Sequence, residues 1–233
     1  MVDLHSHILP GVDDGSESVA ESIEMLRMEA QQGIGHVVAT PHFYPHHDHP
    51  ETFLARRSRA EEALRQEMAR YTGLPAITVG AEVYYFRGIS EAQILPELTI
   101  GGGDAILIEM PPAPWPAAAY EELEQIRRRR NLIPIIAHID RYIGPFRTYG
   151  IPEKLEALPV LVQANASFFL ERATARMAMK MLDRGRIHLL GSDCHDVSER
   201  SPNLGPALQR IADRLGTDCL DRIRSNEDRL LDL

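Results

Sequence analysis

Histidine and aspartate residues that could bind a metal are concentrated at the start of the chain. The apolar-leaning segment Val2 to Leu4 runs directly into His5-x-His7. In an extended strand, side chains two positions apart point to the same face, so His5 and His7 can converge on one point. Two converging imidazoles are typical of a metal site, and Asp13 and Asp14 follow with further oxygen ligands.

Similar side chains recur later in the chain, and none of the candidates is a thiol. The candidate metal ligands are His5, His7, Asp14, His42, Glu82, Glu109, His138, Asp193 and His195. Imidazole and carboxylate ligands suit manganese, iron or zinc, and magnesium where oxygen ligands dominate. Nine ligands are too many for one ion, so we expect two or three divalent ions, with a carboxylate such as Glu82 bridging them.

Alternating strands and helices are predicted to position these residues. The predicted strands are Val2–His5, His36–Thr40, Ala76–Ala81, Ala105–Met110, Leu132–Ile139, Val160–Ala164 and Ile187–Gly191. Helices are predicted after a capping box at Ser18 and Glu21, and over Glu51–Tyr71, Ala117–Arg130, Arg172–Arg184 and Asn203–Leu215. Strands that alternate with helices favour a parallel sheet. Parallel barrels carry their chemistry at the C-terminal ends of the strands, where almost every candidate ligand falls.

Composition and charge restrict the class of protein. The chain has 233 residues, of which 44% are hydrophobic and 25% charged, and its net charge is −9. We therefore predict one globular α/β domain over residues 1–233. The excess of negative charge disfavours binding to nucleic acid or anionic membranes. There is no apolar run of membrane-spanning length, no signal-peptide pattern and no metal-type cysteine pair, so we expect a cytoplasmic protein.

Two arginines and several aromatic residues are expected near the mouth of the site. Arg141 and Arg200 each follow a candidate ligand by a few residues. A guanidinium group can contact two phosphate oxygens at once, so phosphate binding is favoured over a surface salt bridge. Trp115 and the run Tyr84–Phe86 are interpreted as packing residues, although one of them could stack on an aromatic substrate.

The remaining polar features have structural interpretations. His46, His47 and His49 are interpreted as part of a solvated loop, with a proton-donating lid as the alternative. The run Arg127–Arg130 fits the last turn of a helix, where the helix dipole favours positive charge. Alternation turns Cys194 away from its neighbours, which favours a buried thiol over a catalytic one.

These motifs resemble the polymerase-and-histidinol-phosphatase (PHP) family of metal-dependent phosphoesterases. The resemblance covers nearly the whole chain through His-x-His, Thr-Pro-His42, Gly-Ala-Glu82, Ile-Glu109, Ala-His138 and Ser-Asp-x-His195. The segments His5–Gly15, Gly80–Tyr85 and Ala137–Tyr142 are similar to the bacterial protein-tyrosine phosphatases of capsule and exopolysaccharide operons. The resemblance implies a seven-stranded distorted (β/α)7 TIM-like barrel with three metal ions, usually manganese, at its mouth.

The resemblance also implies a role for each residue. It assigns His5, His7, Glu82 and Asp193 to one ion, Glu82, Glu109 and His138 to a second, and Asp14, His42 and His195 to a third. Arg141 and Arg200 match the two arginines that hold the phosphoryl group. Asp140 stands where related proteins often have glutamate, and we expect little effect on the metals. The loop after His42 and the segment Pro111–Pro116 do not follow the family pattern, which leaves substrate choice open.

The predicted function is hydrolysis of a phosphomonoester, specifically of phosphotyrosine on a protein. A hydroxide formed from a water that bridges the ions would attack phosphorus, while Arg141 and Arg200 stabilise the nonbridging oxygens. His42, His195 or a loop histidine could supply a proton, and the sequence does not choose among them. The implied partner is a bacterial tyrosine kinase with a tyrosine-rich tail. An open mouth is expected, because a protein substrate needs a shallow approach.

Three other functions are compatible with parts of this pattern. A histidinol-phosphate phosphatase would use the same site. An amidohydrolase also opens with His-x-His, but many amidohydrolases bridge their metals with a modified lysine on the fourth strand, where this chain has Glu109. A noncatalytic metal-binding regulator of a tyrosine kinase is the alternative from another class. The oligomeric state is left open.

Overall fold

Strands and helices alternate along the chain in this computed structural model, which describes residues 1–144 and 146–232. The strands β1 to β9 are Val2–Ser6, His36–Ala39, His42–Phe43, Ala76–Val79, Glu82–Tyr84, Ala105–Glu109, Ile133–Ile136, Leu161–Asn165 and Leu189–Gly191. The helices α1 to α8 are Val19–Gln31, Pro50–Met68, Ala117–Arg130, Ile151–Glu156, Ala166–Leu170, Ala175–Asp183, Leu204–Leu215 and Asp218–Leu231. The predicted domain ends at Leu233, which lies outside the described residues.

Two of the predicted strands end one or two residues early, and each is followed by a short strand that was not predicted. The predicted strand His36–Thr40 ends at Ala39, and pairing resumes beyond Pro41 in β3. Proline has no N–H to donate to a ladder, so it interrupts the strand. The predicted strand Ala76–Ala81 likewise ends early, at Val79, and β5 begins beyond it at Glu82. An added Cβ at Gly80, between the two strands, would lie 3.2 Å from Cα of Ile100. Both interruptions lie directly before a candidate ligand, His42 in the first case and Glu82 in the second.

The strands form a curled, parallel arrangement. One sheet has the order β1-β2-β4 and the other β3-β5-β6-β7-β8-β9, and all paired strands are parallel. The chain beyond β9 returns to β1, where the Asp193 N–H donates to the His5 carbonyl at 2.8 Å and the His7 N–H to the Cys194 carbonyl at 2.9 Å. This contact, called here the β1–β9 seam, joins the first strand to the last. The α/β class with parallel strands agrees with the sequence prediction.

Apolar side chains fill both sides of the strands. A smaller cluster, which includes Leu4, Leu107 and Leu189, fills the concave side below the strand ends. The larger cluster lies between the strands and the helices. Since the concave side is packed, polar groups that the strands deliver collect above it, at their carboxyl ends.

The helices agree less evenly with the sequence prediction. Helix α3 has the predicted bounds, and the run Arg127–Arg130 forms its last turn as expected. Helix α8 was not predicted; its Leu230 packs on the concave cluster, and Glu227 accepts a hydrogen bond from the Val2 N–H at 3.0 Å. Among the described residues, no helix combines the length and apolar character needed to cross a bilayer.

Candidate metal centre

The structure brings the nine predicted ligands into one cluster at the carboxyl ends of the strands. Four donor atoms form its centre: Nε2 of His5, Nε2 of His7, Oε2 of Glu82 and Oδ1 of Asp193. The two imidazole nitrogens lie 3.2 Å apart. Glu82 lies 3.2 and 3.4 Å from them, and Asp193 lies 3.6 and 3.4 Å from them. Ligands around a tetrahedral ion with bonds of about 2.1 Å are about 3.4 Å apart, so this set has the dimensions of a coordination shell.

Two further groups of donors adjoin the first. His138 Nε2 lies 2.8 Å from Oε1 of Glu82 and 3.6 Å from Oε1 of Glu109. His42 faces both of the outer groups, with Nδ1 3.0 Å from Glu82 and Nε2 3.7 Å from Asp14. Asp14 also lies 3.6 Å from Nε2 of His195. Its side chain is 68% exposed, which places it at the rim of the centre.

Unpaired donor atoms provide an independent test of whether metal ions fit. Five buried atoms of the candidate ligands have no hydrogen-bond partner among the described residues: His42 Nδ1, Glu82 Oε2, Glu109 Oε2, His138 Nδ1 and His195 Nε2. A buried polar atom without a partner is costly, and such atoms in native structures commonly face an ion or water. Three of these five face the cluster at the distances above, and a fourth, Glu109 Oε2, lies 3.9 Å from His42 Nδ1. The residues therefore fit divalent ions with nitrogen and oxygen ligands.

Hydrogen bonds on the far side of three imidazoles hold their Nε2 atoms toward the cluster. His7 Nδ1 lies 2.7 Å from Oδ2 of Asp13, His5 Nδ1 lies 3.3 Å from Oε1 of Gln163, and His195 Nδ1 lies 2.9 Å from the Asp193 carbonyl. An acceptor at Nδ1 fixes the proton there and leaves Nε2 free to ligate. Asp13 was expected only as a further oxygen ligand and not as the acceptor that orients His7, and Gln163 was not predicted as a site residue. The alternation of β8, which puts residue 163 on the face of Asn165, was the available signal.

The local backbone departs from regular geometry where it presents these ligands. The pairing of β1 with β2 shifts register between Asp3 and Ser6, and such bulges re-aim side chains next to functional sites. His138 and Asp193 have φ values of 31° and 56°, a region that non-glycine residues seldom occupy. An added Cβ at Gly191 would lie 2.6 Å from Cβ of His5, so only glycine fits this approach.

Arg141 and Arg200 both contact Asp193 at the open side of the cluster. Arg141 Nη2 lies 2.5 Å from Oδ2 of Asp193, and its Nη1 lies 3.6 Å from Glu109. Arg200 Nη2 lies 3.1 Å from Oδ1 of the same carboxylate. Each side chain is about 40% exposed, at 41% and 40%. One edge of each guanidinium is therefore fixed while the remaining N–H groups can reach a bound anion.

Charges within the cluster oppose the effect of burial and shift several pKa values. Burial alone would raise the pKa of Glu82, but His5, His138 and His42 hold it well below its usual range. Burial would also raise the pKa of Asp193, and His5 and His7 hold it well below its usual range. Both carboxylates are therefore ionised at neutral pH, as metal ligands must be.

Other residues singled out by the sequence lie around the centre. His46, His47 and His49 are exposed, which agrees with a solvated loop. Trp115 is buried and donates from Nε1 to the Pro111 carbonyl at 2.8 Å, which confirms the packing interpretation. Cys194 is a buried free thiol, as expected.

Half-buried aromatic rings border the cluster on one side. The ring of Tyr44 stacks on His42 with a centroid separation of 4.9 Å, and the ring of Tyr84 lies 5.8 Å from Tyr44. Burial and the nearby carboxylates, Glu109 foremost, raise the pKa of Tyr44, so its hydroxyl is neutral. The rim thus offers flat apolar surface next to the ligands.

Fold and site together define an α/β protein with a nitrogen- and oxygen-rich candidate metal centre at the carboxyl ends of parallel strands. A profile of the family described as capsular polysaccharide synthesis, CpsB/CapC, matches residues 1–232, and the chain belongs to this family. The resemblance to capsule-type proteins inferred from the sequence motifs is thereby confirmed.

Individual relatives agree with this assignment. The chain is 28% identical to the tyrosine-protein phosphatase YwqE of Bacillus subtilis, over 99% of this chain and 91% of that protein. It is 29% identical to the tyrosine-protein phosphatase CpsB of Streptococcus pneumoniae, over 93% and 91%. A solved structure described as YwqE and CpsB, unique metal-dependent tyrosine phosphatases, superimposes with a TM-score of 0.86 at 24% identity, covering 100% of this chain and 94% of that one. That likeness establishes the shared fold.

Proposed function

We propose that this protein is a metal-dependent phosphomonoester hydrolase that acts on phosphotyrosine in proteins. One observation carries the proposal: two half-exposed arginines are anchored on one carboxylate beside a cluster of nine candidate metal ligands. That arrangement suits a bound phosphoryl group, whose charge must be stabilised during transfer. The names of the curated relatives, tyrosine-protein phosphatases, support the same reaction.

The nine ligands are proposed to hold the ions in the three sets implied by the sequence motifs. When bound, divalent ions lower the pKa of a water molecule and withdraw charge from phosphoryl oxygens. Manganese fits the mixture of imidazoles and carboxylates without thiolate, although iron or zinc would also fit.

The protein's own groups orient the substrate. Arg141 and Arg200 would bind nonbridging phosphoryl oxygens, and because Asp193 already fixes both, little reorganisation would accompany the reaction. His42 and His195 each direct both ring nitrogens at cluster or backbone acceptors, so we assign them as ligands rather than as proton donors. A tyrosine phenolate leaves readily, so the reaction has little need of a donor. Tyr44 and Tyr84 would line the approach of the substrate ring.

The wider setting follows from the family. We propose a seven-stranded distorted barrel in which β2 with β3, and β4 with β5, each count as one bent strand and the β1–β9 seam completes the ring. We propose a single domain over residues 1–233, a cytoplasmic location consistent with two free buried thiols, and a tyrosine kinase of capsule or exopolysaccharide synthesis, with its tyrosine-rich tail, as the substrate protein.

Chelation provides the direct test of this function. Exhaustive removal of divalent ions should abolish hydrolysis of p-nitrophenyl phosphate and of a phosphotyrosyl peptide, and manganese should restore both. Alkylation of thiols should change neither rate. Activity that survives complete removal of metal would overturn the proposal. Faster turnover of histidinol phosphate than of the peptide would favour a small-molecule phosphatase.

A further inference from the structure

A buried carboxyl pair lies behind the candidate metal centre, on the helix-facing side of β1. Asp3 and Glu29 have no exposed surface. Asp3 pairs in register with Val37, whose side chain belongs to the cluster between strands and helices, so it points away from the ligands. Glu29 reaches it from α1, and their carboxyl oxygens and the Cys194 sulfur lie within 4.8 Å of one another. Neither acid has a role in the proposed reaction.

One oxygen of Asp3 accepts two backbone N–H groups from the β1–β9 seam. Oδ1 accepts from the His5 N–H at 3.2 Å and from the Ser192 N–H at 2.9 Å. The first donor is left over from the β1 ladder by the bulge between Asp3 and Ser6. The second lies one residue before Asp193. One carboxylate thus holds the backbone of a ligand on β1 and the residue before a ligand on the other side of the seam.

The other oxygen of Asp3 depends on Glu29. Oδ2 of Asp3 and both carboxyl oxygens of Glu29 have no partner among the N–H groups and hydroxyls of the described residues. Two buried carboxyl groups in contact can satisfy each other by sharing one proton. In agreement, burial and the neighbouring Asp3 raise the pKa of Glu29 to about 10, and burial also raises the pKa of Asp3, so the pair holds a proton between its facing oxygens.

We propose that Asp3, held by a hydrogen bond from Glu29, is a positioning residue that sets the backbone of His5 and Asp193 for metal binding. Neither acid ligates an ion or contacts substrate. If Glu29 loses its donor, the Asp3 carboxylate is left with a buried oxygen that has no hydrogen-bond partner. We then expect Asp3 to turn away from the N–H groups of His5 and Ser192, so that the bulge no longer holds His5 in place. The inference depends on the proposed metal centre but not on the reaction performed there.

The test is manganese binding to the metal-stripped full-length chain, measured by calorimetry and by the electron paramagnetic resonance signal of free manganese. Glu29→Met keeps the volume and helix propensity but removes the donor, and Glu29→Ala is a second variant without added bulk. Both should weaken manganese binding about tenfold or more, as loss of groups that orient ligands does elsewhere. Glu29→Gln still offers an N–H to Asp3 and should bind within about threefold of the natural chain.

The control is Met25→Ala, one turn earlier on the buried face of α1. It should lower the unfolding temperature while manganese binding stays unchanged. Wild-type binding by Glu29→Met and Glu29→Ala would overturn the proposal, as would equal weakening in Met25→Ala. Loss of one bound metal equivalent in Glu29→Met, with the remaining affinities unchanged, would also overturn it, because the carboxyl pair would then be a metal site itself. Loss of phosphatase activity without any change in metal binding would likewise contradict it.

Discussion

Replacement of Asp13 by asparagine is expected to weaken metal binding although Asp13 is not one of the nine candidate ligands. Oδ2 of Asp13 accepts from His7 at 2.7 Å and from the His42 N–H at 2.9 Å, while Oδ1 accepts from the Gly15 N–H at 3.0 Å. All three partners are donors. An asparagine must turn its own NH2 group toward at least one of them, whichever way it is oriented.

The size of the effect follows from the strength of this pair. Burial would raise the pKa of Asp13, yet His7 foremost, with the backbone N–H groups of His42 and Gly15, lowers it from 3.8 to about 2, which corresponds to about 2 kcal/mol. A charge-assisted hydrogen bond is worth a similar amount. With a neutral amide oxygen or an NH2 group in place of the carboxylate, His7 is held less firmly in its tautomer and can place the ring proton on Nε2, where it opposes the ion. We expect metal binding to weaken by about 30-fold.

Calorimetric titration of metal-stripped Asp13→Asn with manganese measures this directly, with thermal unfolding to show that the variant folds. Asp213→Asn, an exposed carboxylate on α7, serves as the matched control and should bind like the natural chain. Binding by Asp13→Asn within twofold of the natural chain would refute the tautomer argument. A loss in both variants would indicate a general effect of charge.

Three further outcomes are expected. Arg141→Ala should lower kcat/KM for p-nitrophenyl phosphate about 100-fold with metal content unchanged, because its guanidinium contacts the carboxylates of the cluster without ligating; loss of metal would contradict the phosphate role. Glu227→Gln should remove a pH dependence of stability. Burial raises the pKa of Glu227 from 4.5 to about 7. Its favourable contribution to the free energy of unfolding is therefore complete below pH 4.5 and is lost as the pH rises through 7. Denaturant unfolding should show the variant gaining about 3 kcal/mol of stability relative to the natural chain across that range. Thiol alkylation under native conditions should leave activity intact, because Cys194 and Cys219 are 1% and 3% exposed.

The candidate ligands at the strand ends could be predicted from the sequence because the residue patterns that indicate them are local. The period of two and the parallel pairing bring His5, Glu82 and Asp193 to one edge without any knowledge of tertiary contacts. Residues that act through another side chain give a weaker signal: strand alternation can place Gln163 on the face of Asn165, but it does not identify the side chain that Gln163 contacts. Gln163 contacts a histidine 158 positions away, and nothing near either residue indicates the pairing.

The predicted strand bounds were wrong where the backbone is irregular. The predicted strand Leu132–Ile139 assumed extended backbone to its end, but β7 ends at Ile136 and His138 is left-handed. The break before Pro41 agrees with the predicted end of that strand at Thr40, because proline has no N–H to donate. That at Gly80 depends on close approach to Ile100, which only the folded chain contains.

The β1–β9 seam gives the candidate ligands a mechanical consequence. His5 belongs to the first strand and His7 follows it directly, while Asp193 and His195 follow the last strand. An ion coordinated by His5, His7 and Asp193 would therefore cross-link the ends of a long loop of chain. Such a reversible cross-link would slow opening of the seam. The half-life of the protein during proteolysis would then be set by the rate at which the ion is released. Scarcity of metal in the cell would reduce the amount of the protein as well as its activity.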